Sequence, residues 1–404
     1  MRAIAALLLL SAVSWSVAAR QSESGSSPSL LLSAKLLRRL QRDRERETVR
    51  WQNFDRRVRT VLDSPERGFD LALYYVASHD ESRAREAVAW AVAHPCETRQ
   101  ITLIEDWLGD AFPENSKRQV HASNCSSAAS AANSSPTQVA RNTLFRAIVS
   151  GQVDEAAFDP ANKRVVAELK GPRALDPSTL YAAIEYIMVY RAYKRVDLRE
   201  SDASFFSAFP KSLLLGLKPA DVEQPAAMIH ISALALVTLD PNLESSQFLQ
   251  GWALEDRQML RDGPGVAYEY LWADPYLPGI AYQNMDPWLY DMNGHLLART
   301  DWQPDSCWIS LSAGQTTVQN CGRAPLTQEM KFGSLTLRPL SSGCSVVAPR
   351  SPKETLIFRM PAGIPLNYER QGDKTTRQVP DSAGLWSVPV DTSGKVCLAS
   401  SGKR

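Results

Sequence analysis

The stretch GHLLARTDWQPDSCWISLSAG, Gly294–Gly314, is where the chain changes its hydrophobic period. Apolar residues run or alternate over Leu296–Ala298 and again over Trp308–Leu311, between Gly, Pro and Ser punctuation. That is the pattern of short strands joined by turns. It returns in GSLTLRPL (333–340), ETLIFRM (354–360) and GLWSVPV (384–390). Residues 294–404 therefore read as an all-β region, most simply a small β-sandwich.

Immediately upstream, YEYLWADPYLPGIAYQN (268–284) gathers Tyr268, Tyr270, Trp272, Tyr276 and Tyr282 around Pro275 and Pro278. The prolines predict that this stretch forms no regular helix. Residues 263–293 read as an aromatic, proline-rich junction. Its rings either plug a seam between two domains or form a surface that stacks against a ligand.

Before the junction the period is helical. SPSLLLSAKLLRRLQRDRERETVRWQNFDRRVRTVL (27–62) carries Trp51, Phe54, Val58 and Val61 on one face, and reads as one continuous helix. Its opposite face mixes Arg with Asp and Glu, the composition of a solvated, salt-bridged surface. GFDLALYYVAS and ESRAREAVAWAVA follow, divided at His79-Asp80, and the second stops before His94-Pro95. CETRQITLIEDWLGDA and TQVARNTLFRAIVSG flank a low-complexity loop, SNCSSAASAANSSP. Asp176-Pro177, Pro225 and Asp240-Pro241 are helix-start signals for the three helices that follow. QPAAMIHISALALVTL (224–239) is apolar nearly all round and belongs inside. About ten helices with short connections predict antiparallel hairpin pairs in an α/α toroid-like array over residues 20–262. The fold class is thus α+β multidomain: helical array, junction, β-sandwich.

The first residues, MRAIAALLLLSAVSWSVAA (1–19), have one Arg, an apolar core and small residues at the end, the layout of a secretory signal peptide. The apolar run is short for a membrane anchor and no later stretch resembles a span, so a secreted or periplasmic protein is expected. A net charge of +1 over 404 residues gives no global reason to expect nucleic acid. The six cysteines, Cys96, Cys125, Cys307, Cys321, Cys344 and Cys397, form no CxxC pair, which speaks against zinc and redox motifs. They are disulfide candidates. Nearest neighbours would pair 96 with 125, 307 with 321 and 344 with 397, although buried free thiols remain an alternative.

LWADPYLPG (271–279) and, more clearly, Gly294–Gly314 resemble the heparinase II/III-like polysaccharide lyases and their relatives. In the second stretch, Arg299-Thr300-Asp301-Trp302 matches that family's Arg-Ser/Thr-x-Trp turn, followed by Pro304-Asp305 and an apolar strand. The resemblance implies an α/α toroid before a β-sandwich, and an acidic polysaccharide or oligosaccharide as partner. Family members continue with His-Gln-His-Leu-Asp-x-Gly-Ser-Phe. Here TQEMKFGSL puts Thr327, Glu329 and Lys331 where His, His and Asp would stand. The resemblance therefore implies glycan binding with catalysis reduced or lost.

Lyase chemistry needs a base to take the proton beside a uronate carboxyl and a cationic group to hold the resulting charge. Tyr282, His230 and Arg299 supply those types. Each also has a structural alternative: Tyr282 as packing with its hydroxyl satisfied locally, His230 as a core histidine, and Arg299 paired with Asp301 or stacked on Trp302. Trp272, Tyr276, Asn284, Trp288 and Tyr290 are the substrate-binding candidates, rings for sugar faces and an amide for hydroxyls. No metal or cofactor is expected, since no HExxH or phosphate loop is present. Two alternatives remain open: an active lyase with a Tyr base, and a non-catalytic helical scaffold for protein partners.

Overall fold

The computed structural model describes residues 30–123, 134–152, 154–170, 176–286 and 288–290, and beyond these 296–299, 301–304, 306 and the strands named below. The proposed signal peptide lies outside the described residues. Among them the chain is mostly helical. The helices are α1 (Ala34–Glu45), α2 (Val49–Thr60), α3 (Arg67–Ser78), α4 (Glu81–Ala93), α5 (Thr98–Leu108), α6 (Glu114–Ala122) and α7 (Pro136–Ser150). They continue with α8 (Phe158–Lys170), α9 (Pro177–Lys194), α10 (Ala203–Gly216), α11 (Pro219–Glu223), α12 (Ala227–Leu239), α13 (Glu244–Ala253) and α14 (Gly265–Trp272).

Local chemistry explains most boundaries. Asp176 caps α9 by accepting from the backbone N–H groups of Ser178 and Thr179, with Pro177 in the first turn. Asp80 caps α4 after His79 has ended α3 in the left-handed region. Three expectations are corrected. The long N-terminal helix is two, because Glu47 turns left-handed (φ 49°) and Thr48 accepts from Trp51 N–H to start α2. Asp240-Pro241 does not open α13: Asp240 follows the last turn of α12, and α13 begins at Glu244 after a turn. The junction does contain a helix, α14, whose last five residues are Tyr268–Trp272. Pro275 and Pro278 act only downstream, and α14 has ended at Trp272 before either is reached.

Packing follows alternate helices. α3 lies against α5, α5 against α7, α7 against α9, α9 against α12, and α12 against α14; α14 then returns to α2 and α3. α4 packs outside α3 and α5, and α8 outside α7 and α9. α12 and α14 are buried on all sides, including their polar residues His230 and Glu269. Such burial is favourable only because those groups find partners inside. α1 crosses beside the C-terminal end of α3, where Gln41 Nε2 and Arg44 Nη1 donate to the carbonyls of Val76 (3.5 Å) and Ser78 (3.2 Å).

The strands follow: β1 (Trp288–Tyr290), β2 (Leu296–Arg299), β3 (Trp308–Ser312), β4 (Gln315–Gln319), β5 (Met330–Phe332) and β6 (Leu335–Leu340). β7 (Gly343–Val347), β8 (Glu354–Arg359), β9 (Leu366–Arg370), β10 (Thr376–Gln378), β11 (Leu385–Val390) and β12 (Gly394–Ala399) follow. They pair in the orders β1-β2-β3-β4-β8-β11 and β10-β9-β12-β7-β6-β5, antiparallel except for β4 with β8. α10 meets β1 and β2. There Trp308 Nε1 donates to Leu215 O (2.6 Å) and Arg299 Nη2 to Leu217 O (3.1 Å).

Cys96 is disulfide-bonded. Its expected partner Cys125, with Cys307, Cys321 and the side chains of Cys344 and Cys397, lies outside the described residues.

Candidate functional site

A cavity of about 880 Å³ opens where α9, α12 and α14 end, with α1 along one side. That volume is in the range of small-molecule sites. Its position follows from how α1 is anchored. The buried strap Leu30–Leu32 is held to α5, since Leu30 N–H donates to Asp106 (2.8 Å) and Trp107 Nε1 donates to Leu30 O (2.8 Å). Ser33 then caps α1 by accepting from Leu36 N–H. Lys35, Arg38 and Arg42, spaced i, i+3 and i+7, fall on one face of the helix and all line the cavity.

Six cationic side chains line the space (Lys35, Arg38, Arg39, Arg42, Arg191 and Arg195) against three carboxylates, Asp197, Glu200 and Asp274. Helix C-termini carry partial negative charge and unpaired carbonyls, so some of these cations are structural. Arg39 is buried and donates to four successive carbonyls at the end of α14, those of Tyr270, Leu271, Trp272 and Ala273. Burial pulls its guanidinium below the usual range, with Asp274 and Asp43 opposing. Arg191 donates to Leu239 O at the end of α12 (3.1 Å) and pairs with Asp197. Four cations remain. Lys35, Arg38, Arg42 and Arg195 make no side-chain ion pair or hydrogen bond among the described residues, and all four are exposed.

Tyr276 completes the site. It is 56% exposed, the Arg42 guanidinium lies 4.8 Å over its ring, and Arg46 Nη1 donates to its hydroxyl (3.3 Å). Its N–H donates to Asp274, which folds the loop after α14 back on itself. An exposed ring beside cations that make no ion pair can receive a molecule having both an apolar face and anionic groups.

The predicted residues divide between this cavity and the interior. Trp272 lines the cavity but is only 2% exposed; its Nε1 donates to the Tyr181 hydroxyl (3.0 Å), so it is a wall rather than an open platform. Asn284 is exposed in the turn Tyr282–Asn284, outside the lining. Trp288 and Tyr290 lie in β1, their side chains outside the described residues. Tyr282 is buried, accepts from Arg257 Nη2 (3.0 Å), and packs edge-on against Trp302 (5.0 Å). Burial raises its hydroxyl above the usual range, with Glu255 adding to the shift. Arg299 stacks on the same Trp302, 4.4 Å from ring to guanidinium, and burial lowers it to about 10.

His230 lies apart from both. Its Nε2 is 2.9 Å from Glu269, whose other oxygen accepts from Arg50 Nε (2.7 Å), and its Nδ1 is buried without a hydrogen bond. Burial raises the Glu269 carboxyl, but His230 and Arg50 more than offset this and leave it below its usual value. Tyr282 and Arg299 thus meet on Trp302 while His230 lies apart, and none of the three lines the cavity.

Part of the expected solvated, salt-bridged face is present, with Arg59 paired to Asp55 (2.8 Å), but other basic residues of the first helices are placed differently. Arg57 is buried against Asp70, Arg50 reaches Glu269, and Arg38 and Arg42 face the cavity. Burial outweighs the Arg57 charge and raises Asp70 to about 7.

Among the described residues no group of His, Cys, Asp or Glu could hold a metal ion, and no helix is long and apolar enough to cross a membrane. No family model and no curated protein matches the chain.

Proposed function

We propose that the chain is an exported protein that binds an acidic polysaccharide or oligosaccharide, with catalysis reduced or lost. The observation carrying this reading is the cavity in which Lys35, Arg38 and Arg195 make no side-chain ion pair or hydrogen bond among the described residues and Arg42 lies over the exposed ring of Tyr276. A chain folded only for stability would pair these cations or spread them over open surface, because crowded like charges repel. Sugars suit the other half of the site, since their C–H faces stack on tyrosine.

The order of helix neighbours, returning from α14 to α2, supports an α/α toroid. Two six-stranded sheets support a sandwich behind it. Both agree with the resemblance to heparinase II/III-like relatives. Reduced catalysis is supported by Tyr282 and His230, each buried and engaged away from the cavity, and by Thr327, Glu329 and Lys331 in the motif positions.

Calorimetric titration with uronate and sulfated glycans tests the reading. Wild type should bind, and Arg38→Ala with Arg42→Ala should lose affinity by at least about tenfold, roughly the loss of one charge-assisted hydrogen bond. Absence of binding across the panel refutes it. Release of an unsaturated product absorbing in the ultraviolet would instead establish an active lyase.

A further inference from the structure

We infer that the cavity takes an acidic sugar carrying an aliphatic group, with the sugar at the mouth and the aliphatic group on the wall within. This rests on the reading above and names the class of glycan.

The residues around the cavity are sorted by exposure. Lys35, Arg38, Arg42 and Arg195 are exposed, as is Tyr276. The aliphatic side chains are not: Leu36, Met188 and Leu277 are half-buried, and Leu31, Leu32 and Leu239 are buried. They come from every side, Leu36 on α1, Met188 on α9, Leu239 at the end of α12 and Leu277 on the loop after α14. More of the wall is apolar than polar.

A bare sugar ring carries hydroxyls around its edge, which need new donors and acceptors when they leave water. The inner wall offers few. Among the described residues the lining holds no Asn, Gln or His. Its small hydroxyls serve their own helices: Ser33 accepts from Leu36 N–H at the start of α1, and Thr238 donates to Ala235 O (2.7 Å). Asp197 is held by Arg191 and Arg199, Asp274 accepts from Tyr276 N–H, and Arg39 is taken up by carbonyls at the end of α14. Hydroxyls set against Leu36, Met188 and Leu277 would lose water and gain no partner. Methylene groups set there gain, because they leave water for an apolar wall.

Charge fixes where the polar end stays. Lys35 and Arg38 make no side-chain ion pair or hydrogen bond among the described residues, and they flank Leu36 on the same helix. An anionic group held by them leaves the rest of the ligand within reach of Leu36. On the facing loop Tyr276 and Leu277 repeat the pairing, an exposed ring for the sugar beside an aliphatic side chain.

Alkyl β-D-glucuronides supply the test, since they join one carboxylate to a chain of chosen length. Wild type is titrated calorimetrically with the methyl, butyl and hexyl compounds below their micellar range, with the matching alkyl glucosides, and with unsubstituted oligogalacturonates. Hexyl glucuronide should bind at least about tenfold tighter than methyl, where each fully buried methylene would give roughly fourfold. The glucosides should be weaker by about tenfold, the loss of one charge-assisted hydrogen bond. Leu36→Gln and Leu277→Gln should each flatten the rise with chain length. Arg38→Ala should weaken every glucuronide and keep the rise, with circular dichroism checking the fold of each variant. Equal affinity from methyl to hexyl would overturn the aliphatic site, while oligogalacturonate binding would leave the glycan reading standing. A rise that both Gln variants leave intact would put the chain outside this cavity and overturn it too. Glucosides that bind as well as glucuronides would overturn the pairing with an acid. Failure of glucuronides and oligogalacturonates alike would refute acidic-glycan binding itself, and this inference with it.

Discussion

Replacing Glu185 by Gln should destabilise the helical region more than any surface change. Glu185 is fully buried in α9 and accepts from Arg99 Nε (3.0 Å), Arg99 Nη2 (2.6 Å) and Arg141 Nη1 (2.8 Å). Arg99 in turn is enclosed by Phe69, Tyr181 and Tyr268 at 5.2, 5.7 and 5.6 Å, and among the described residues reaches one further carboxylate, Glu66. Gln preserves the shape but leaves two guanidinium groups in the interior with one acceptor fewer and only Glu66, at Arg99, to offset their charge. Breaking a buried pair in this way costs about 3–5 kcal/mol. At roughly 2–4 °C per kcal/mol for a domain of this size, the midpoint should fall by about 6–20 °C. The assay is thermal unfolding followed by circular dichroism. Adding Arg141→Met to the Gln variant should recover part of the loss, because it removes one uncompensated charge. A fall below about 2 °C, or no recovery in the double variant, would refute the argument that Glu185 neutralises this core. The pH dependence has a definite sign. Burial pushes Glu185 up, but Arg99 and Arg141 outweigh it and hold the carboxyl below its usual value. Its stabilisation is thus present above the unfolded carboxylate range and lost as pH falls through the lower folded value.

Asp70 should behave in the opposite sense. Its carboxyl is raised from 3.8 to about 7, by burial first, so stability present at acid pH is lost as pH rises through 7. Asp70→Asn should raise stability at pH 8, by up to about 4 kcal/mol, and change it little near pH 4, as the melting midpoint followed against pH will read. Gly251→Ala should lose at least about 2 kcal/mol, since a Cβ there would stand 1.9 Å from Ile280 O and push apart α13 and the loop that follows α14. Peptide mapping without reduction should recover Cys96 in a disulfide-linked peptide, with Cys125 as the expected partner; a free Cys96 thiol contradicts the bond.

Much of the helical part is legible in the sequence because its signals are local. The break at His79-Asp80, the cap at Asp176 and the apolar circumference of α12 need no knowledge of distant residues. The site is harder to read, because its cations are sorted by contacts made far along the chain. Arg38 and Arg39 are neighbours of one type, yet Arg39 is consumed by carbonyls more than 230 residues away and Arg38 is not. Lys35, Arg38 and Arg42 did offer a spacing signal, but the same spacing describes an ordinary wet helix face. Arg195 offered none. The junction rings mislead in a similar way: their density announces something unusual, but only the fold assigns Tyr282 to packing and Tyr276 to the cavity rim.

The Arg39 clasp has a consequence for how the protein comes into being. The first helix is joined to the last across nearly the whole helical region, and that joint also forms one side of the cavity. During synthesis every cation of the site is present long before Tyr270–Ala273 emerge, yet no enclosure exists for them to line. Closing so long a loop is among the slower kinds of event in folding. The pocket therefore takes shape only once α14 has joined α1, and a chain cut short before α14 would keep the charges and lose the pocket.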